Sequence, residues 1–252
     1  MLAGVTMLAA SVSVRMGERM APTYEALATH LLDVSRSLPP GKQHWVCVAG
    51  GPGAGKSTLA HEVASAVNRG AESEVCCVLP MDGWHYSRAD LCRLDPPDAP
   101  AYLPRRGAPW TFDAEGCCAS LAAARRDGEA SLPTYSRELS DPVPDGVRLL
   151  TTHRIVLVEG NYLLMLGPEH DDGRWMPLGT LWDEKWFVKC PEAAEQRRRL
   201  IARHLETWND EKTRRWGEGE AGAAARADAN DVLNMELIRP CEAYADRVVE
   251  SI

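Results

Sequence analysis

Apolar and polar positions along the chain fall into two periods. Tyr24, Leu27, Leu31, Val34 and Leu38 recur at spacings of three and four, which is the stripe along one helix face. Thr23 predicts the N-cap of that helix, and Pro39-Pro40-Gly41 predicts its stop. Trp45-Val46-Cys47-Val48-Ala49 is a continuous apolar run ending in glycines and predicts a strand buried on both faces. Val75 to Leu79, Ile155 to Val158 and Lys185 to Cys190 predict three more strands, and Arg247 to Glu250 a last one. Helical spacing fills the intervals at Ser57 to Asn68, after Asp113 to Arg126, from Pro191 to about Trp208, and from Val232 to Tyr244. Ala89 to Arg106 and Ser131 to Asp145 have no clean period and predict loops or ordered insertions, and the Gly/Ala-rich Glu218 to Ala227 predicts a mobile segment.

Strands that alternate with helices imply parallel pairing and right-handed crossovers. The fold class is therefore α/β, a three-layer sandwich with a mostly parallel central sheet, helices on both faces and a small lid. Ligands of such sheets bind at the carboxyl ends of the strands. Gly50, Asp82 and Glu159 each follow a predicted strand, so three distant segments bring chemistry to one edge.

Composition narrows the class of partner. With 252 residues, 45% apolar and 25% charged, the chain is an ordinary globular one and not a disordered, collagenous or coiled-coil protein. A net charge of −8 argues against nucleic acid or an anionic membrane as partner, so an anionic ligand requires a local basic pocket. The eight cysteines show no CxxC pair and no zinc spacing, which predicts free thiols in a reducing compartment and a cytoplasmic chain. Residues 1–22 are expected as an unordered extension or a misplaced start, with further methionines at Met7, Met16 and Met20. Arg15 and Arg19 among serines and threonines lend that segment a mitochondrial character, and Glu18 runs against it. Residues 23–252 are expected to form one domain.

Gly50-Gly51-Pro52-Gly53-Ala54-Gly55-Lys56-Ser57, followed by Thr58, matches the phosphate-binding pattern G-x-x-x-x-G-K-[ST] between a predicted strand and a predicted helix. Gripping a polyphosphate takes several backbone N–H groups at once, and glycine removes the Cβ atoms that would block the approach. The helix N-terminus adds free donors and a positive dipole end. In this pattern Lys56 neutralises the β- and γ-phosphates and Ser57 supplies a hydroxyl to Mg²⁺. No guanine-recognition motif is present, and Asn230-Asp231 has the wrong pattern for one.

Asp82, at a strand end, can accept a proton from a substrate hydroxyl or hold a metal-bound water, and equally can cap a turn. Glu159 stands where P-loop proteins place an acid near magnesium, and can equally be a solvated strand-end residue. Arg197, Arg198, Arg199 and Arg203 follow the fourth strand. Arg199 and Arg203 share a helix face and could clamp phosphates, or the group could form a solvated basic face paired with Glu192, Glu195 and Glu206. Arg105 to Asp113 mixes cations with aromatics and could hold an anionic or planar acceptor, while Asp113 alone reads as an N-cap. Tyr135-Ser136-Arg137 with Asp141 is either a second acceptor-contacting loop or a turn.

These segments together resemble the phosphoribulokinase/uridine kinase family of P-loop kinases, which includes the bacterial-type pantothenate kinases. The resemblance covers about Trp45 to Glu250. It is carried by GGPGAGKST at Gly50, MDGWHY at Met81, RRGAPWTFD at Arg105, LPTYSRELSDPVPD at Leu132, VEGNYLL at Val158 and RRRLIARHLETW at Arg197. It is strongest to a nucleoside-kinase-like branch with GAPWTFD and EGNYLL. The resemblance implies phosphoryl transfer from MgATP to the hydroxyl of a nucleoside-, vitamin- or sugar-like acceptor, and it allows a homodimer. It makes Asp82 the catalytic carboxylate, Ser57, Asp82 and Glu159 the metal site, and Lys56, Arg199 and Arg203 the phosphate clamp. It places the acceptor among His85, Arg106, Trp110, Tyr135 and Arg137, within insertions 84–113 and 131–145, under a lid spanning about 197–228. Where uridine kinases have tyrosine–aspartate–phenylalanine, this chain has Tyr135-Ser136-Arg137. Pantothenate kinases differ at GAPWTFD, so the acceptor stays open. A P-loop ATPase without a small-molecule acceptor, and a nucleotide-binding module without turnover, are the alternatives.

Overall fold

A computed structural model describes residues 2–94, 102–168 and 170–252. Helix α1 (Leu2–Ser37) leads to β1 (His44–Ala49), the phosphate-binding loop and α2 (Lys56–Ala71). Next come β2 (Cys76–Pro80), a 3-10 turn over Met81–Trp84, and α3 (Arg88–Leu94). Helix α4 (Ala114–Asp127), the hairpin β3 (Ala130–Ser136) and β4 (Asp141–Leu149), and β5 (Ile155–Gly160) follow. The chain closes with β6 (Glu184–Lys189), α5 (Ala193–Glu206), α6 (Asp210–Trp216), α7 (Gly219–Arg226), α8 (Val232–Ile238) and β7 (Arg247–Glu250).

The main sheet has the order β2-β5-β1-β6-β7, and all of its pairings are parallel. Side chains of β1 alternate between its faces. Trp45, Cys47 and Ala49 pack toward α4, where Cys117 and Leu121 are buried. Val46 and Val48 pack toward α1 and α2, against Leu27, Leu31, Leu59 and Val63. Leu31 and Leu59 are almost wholly buried, and each such side chain stabilises the layer by about 1.5–3 kcal/mol.

Four stretches depart from the pattern read in the sequence. Helix α1 begins at Leu2 and carries Pro22 inside it, so Thr23 lies within the helix instead of capping it. Its buried stripe continues back to Met20, one turn before Tyr24, and this contact extends the ordered chain into the segment expected as an unordered extension. Ser131 to Asp145, expected as a loop, lies mostly in the antiparallel hairpin β3–β4, whose register shifts between Leu132 and Thr134 around Pro133. Prolines at 133, 142 and 144 hide the strand alternation there. Glu218 to Ala227, expected as mobile, is largely α7, because alanine has the highest helix propensity. Within insertion 84–113, residues 95–101 lie outside the described residues. Among the described residues no helix is long and apolar enough to cross a membrane.

Candidate active site

Register brings the three strand ends together. Ala49 pairs with Gly160 and Pro80 with Glu159, so the loop from Gly50, the acid Glu159 and the turn bearing Asp82 share the carboxyl edge of the sheet. Gly50 has φ 150° and lies so close to β6 that a Cβ would meet the Val188 carbonyl oxygen at 2.2 Å. No larger residue fits there. Gln196 on α5 donates to the Pro52 carbonyl (2.7 Å) and fixes the outer bend of the loop.

Lys56 is buried. Its Nζ donates to the Gly51 carbonyl (3.1 Å) and to Asn161 Oδ1 (2.7 Å). Burial lowers its pKa, and the charges of Glu159 and Asp82 oppose that. Burial likewise raises the Glu159 carboxyl, against Lys56. The two desolvated groups therefore stabilise each other's charged form. Glu159 also accepts a hydrogen bond from Ser57, and Asp82 adds to its electrostatic field. One hydroxyl and two carboxylates are hard oxygen donors that suit magnesium. Among the described residues no group of three or more His, Cys, Asp or Glu side chains is placed to hold a metal alone, so phosphate oxygens and water would complete such a site.

The Asp82 side chain is about half exposed. Gly83 beside it lies under the hairpin, where a Cβ would sit 2.2 Å from the Pro133 carbonyl oxygen. The hairpin therefore covers the turn at backbone contact and brings Tyr135 to the Asp82 side. His85 Nδ1 lies 2.9 Å from the Asp82 carbonyl, and its ring meets those of Phe112 (3.8 Å) and Tyr135 (5.0 Å) at a tilt. Burial lowers the His85 pKa, against the pull of Asp82. Arg137 stands exposed in the hairpin turn.

Arg106, expected to contact the acceptor, is a structural tie. It donates to the Ser140 carbonyl, to the Tyr86 carbonyl (3.2 Å) and to Asp141 Oδ1 (2.8 Å), and it lies over the Tyr135 ring. Trp110 has Arg105 over its ring at 5.3 Å. Arg105 itself donates to Asn230 Oδ1 (3.0 Å) and Asn234 Oδ1 (3.3 Å). Asp113 accepts from Gly116 N (2.9 Å) as the N-cap of α4.

The four arginines of α5 separate. Arg199 turns away from the loop and donates to Glu195 (2.9 Å) and to Ser251 Oγ (2.9 Å) beyond β7. It does not share a site with Arg203, because its side chain is committed to the sheet edge. Arg197 pairs with Asp228 and Arg198 with Glu195 at the surface. Arg203 stays on the loop side, within electrostatic range of Lys56 and 3.4 Å from Asp231, which also meets His204 Nε2 at 2.8 Å.

Several residues of this edge had no sequence signal of their own. Asn161 lies two positions after Glu159, Gln196 is one polar residue in a polar helix, and Asn230, Asp231 and Asn234 come from a segment remote in sequence. Arg226 is another, in electrostatic range of Asp231, Arg203 and Tyr135. Beside Gly51 a cavity of about 380 Å³ runs between the ends of β6 and β7 and α8, lined in part by Cys190, Pro191, Gln196, Met235 and Arg239.

A Schizosaccharomyces pombe protein provisionally named a uridine kinase is 34% identical over 207 residues, covering 81% of this chain and 82% of that protein. The chain belongs to the phosphoribulokinase/uridine kinase family of P-loop kinases. No protein-family model matches it. A solved structure from Silicibacter sp. TM1040, provisionally described as a fructose transport system kinase, superposes with a TM-score of 0.73 at 30% identity. That match covers 90% of this chain and 98% of the other. An ATP-dependent kinase-like protein of Aspergillus versicolor is 35% identical over 130 residues, 50% of this chain and 71% of its own. The phosphoribulokinase/uridine kinase fold thus accounts for the five-stranded parallel sheet and its flanking helices.

Proposed function

We propose that this chain transfers the γ-phosphoryl group of ATP to a hydroxyl of a small-molecule acceptor, with Asp82 as the proton-accepting carboxylate. The observation that carries this is the convergence of the loop, the Lys56–Glu159 pair and Asp82 on one edge, with a hairpin covering the far side of Asp82. The loop amides and Lys56 hold the β- and γ-phosphates, and the cavity beside Gly51 takes the base. Arg203, within electrostatic range of Lys56, would reach the phosphates from α5, where charge develops during transfer. Ser57, Asp82 and Glu159 would hold magnesium, which supplies charge neutralisation for the phosphates when bound.

In the transfer, the acceptor oxygen bonds to the γ-phosphorus, the bond from that phosphorus to the bridging oxygen breaks, and ADP leaves with the electron pair. The hydroxyl proton passes to Asp82, which is exposed enough to receive an acceptor and whose carboxylate lies 4.0 Å from His85 Nδ1. His85 and Tyr135 form an aromatic wall for that acceptor.

Incubation with MgATP and a panel of nucleosides, vitamins and sugars, with ADP release followed, tests the assignment. Release stimulated by one compound, together with its phosphorylated product, is expected. Release that no compound stimulates would favour an uncoupled P-loop ATPase.

A further inference from the structure

The Gly107 carbonyl receives two side-chain donors that come from different parts of the site. The Tyr162 hydroxyl donates to it from the chain after β5. Asn234 Nδ2 donates to it from α8 at 3.0 Å. Both side chains are buried, Tyr162 wholly and Asn234 to 2% exposure. A buried donor without its acceptor is costly, so this junction is held from both sides.

Each donor leads back to the nucleotide side. Tyr162 follows Asn161, whose Oδ1 accepts from Lys56 Nζ at 2.7 Å. Asn234 precedes Met235, which lines the cavity beside Gly51. Met235 also packs on the phosphate-binding loop, so closely that a Cβ on Gly51 would meet its Cγ at 3.3 Å. The remaining end of the Asn234 amide, Oδ1, accepts from Arg105 at 3.3 Å.

From Gly107 the chain runs to the acceptor side. Gly107 N donates to Thr111 Oγ1 (2.9 Å), and Thr111 is wholly buried. Tyr86 N donates to the Thr111 carbonyl (3.0 Å), and Asp113 N donates to the Trp84 carbonyl (2.8 Å). Between these two bonds Phe112 bridges His85 in antiparallel pairing, with their rings 3.8 Å apart. Residues 107–113 are thus bonded to the nucleotide side at one end and to the turn after Asp82 at the other.

A nucleotide with its phosphates on Lys56 and its base in the cavity touches both ends of this arrangement, one residue away from each donor to Gly107. Two contacts that bias one packed element couple the sites at its ends. We propose that Tyr162 and Asn234 are positioning residues that set the acceptor wall at Phe112 and His85 according to nucleotide occupancy, so that MgATP binds first and completes the acceptor site. This rests on the kinase assignment and adds the order of binding to it.

The test is amide hydrogen exchange in residues 108–113 of the full chain, free and saturated with the magnesium complex of the β,γ-methylene analogue of ATP. In the parent, the analogue is expected to slow exchange there by about fivefold or more. Tyr162→Phe keeps the ring and removes the hydroxyl, and Asn234→Ala removes the second donor. Each is expected to cut that ratio below about twofold while the analogue's Kd stays within about threefold of the parent's. A bond that merely holds the fold would speed exchange by the same factor with and without the analogue and leave the ratio intact. That result, or a parent whose exchange at 108–113 is the same with and without bound analogue, would overturn the proposal. The parent measurement decides even where neither variant folds. An analogue that does not bind the parent at all would instead remove the kinase assignment, and this proposal with it.

Discussion

Lys56 Nζ donates a 2.7 Å hydrogen bond to Asn161 Oδ1, which ties the phosphate-loop lysine to the chain just beyond β5. The bond aims a buried cation that the charges of Glu159 and Asp82 also face. Asn161→Ala should leave the fold within about 1–2 kcal/mol of the parent while ADP release slows about tenfold or more, because the lysine loses its orientation. Urea unfolding and steady-state ADP release measured on one preparation check both parts.

Arg199 and Arg203 are one helical turn apart and should behave differently. Arg199 bonds Glu195 and Ser251, so Arg199→Ala should lower stability by about 1–3 kcal/mol with little change in turnover per folded molecule. Arg203→Ala should leave stability nearly unchanged and reduce turnover by about 10²-fold or more, in keeping with arginines that meet transferring phosphoryl groups. Thermal unfolding and turnover compared across the two variants decide this. The reverse ranking would return Arg199 to the phosphates.

Arg106 joins Tyr86, Ser140 and Asp141, so it holds the hairpin turn against the segment after Asp82. Arg106→Ala should cost about 1–3 kcal/mol, because Asp141 keeps only the Arg88 N–H in a partly exposed site. It should also raise the acceptor KM more than the ATP KM. Unfolding midpoints and the two KM values give the comparison.

How much of this was legible in the sequence follows from the range of the interactions. The strands around Val46 and Leu157 and the loop at Gly50 are local signals, and their alignment at one edge follows from parallel pairing alone. Asp82 and Glu159 were legible because each stands at the carboxyl end of a strand, Asp82 just beyond β2 and Glu159 next to the last residue of β5. Arg199 was not, since helical spacing gives its face but not the Ser251 that captures it from 52 residues away. Arg226 was hidden for a similar reason, because a π turn that no local pattern announces decides which side chains face inward. The hairpin was masked by its prolines, although it brings Tyr135 to the Asp82 side.

At the opposite end of the sheet, Glu184 Oε1 lies 2.7 Å from His30 Nε2 and 3.0 Å from His44 Nε2, and its Oε2 accepts from Trp186 Nε1 at 2.9 Å. Burial would raise the carboxyl, but the bonds from His44, His30 and Trp186 outweigh it and hold its pKa at about 2, against 4.5 ordinarily. Because folding lowers this pKa, its contribution is complete above about 4.5 and is lost as the pH falls toward 2. Glu184→Gln should therefore be less stable than the parent by about 1–2 kcal/mol at pH 6, allowing for solvent screening. The gap should narrow on acidification through this window, as read from denaturant midpoints at several pH values.

Asp82→Asn tests the central claim most directly, with MgATP affinity measured by calorimetry and phosphorylated product measured with an acceptor that the parent enzyme turns over. The expected result is parental MgATP affinity with transfer reduced by at least about 10²-fold. Transfer at the parental rate in that variant would contradict the assignment of Asp82 as the group that takes the hydroxyl proton.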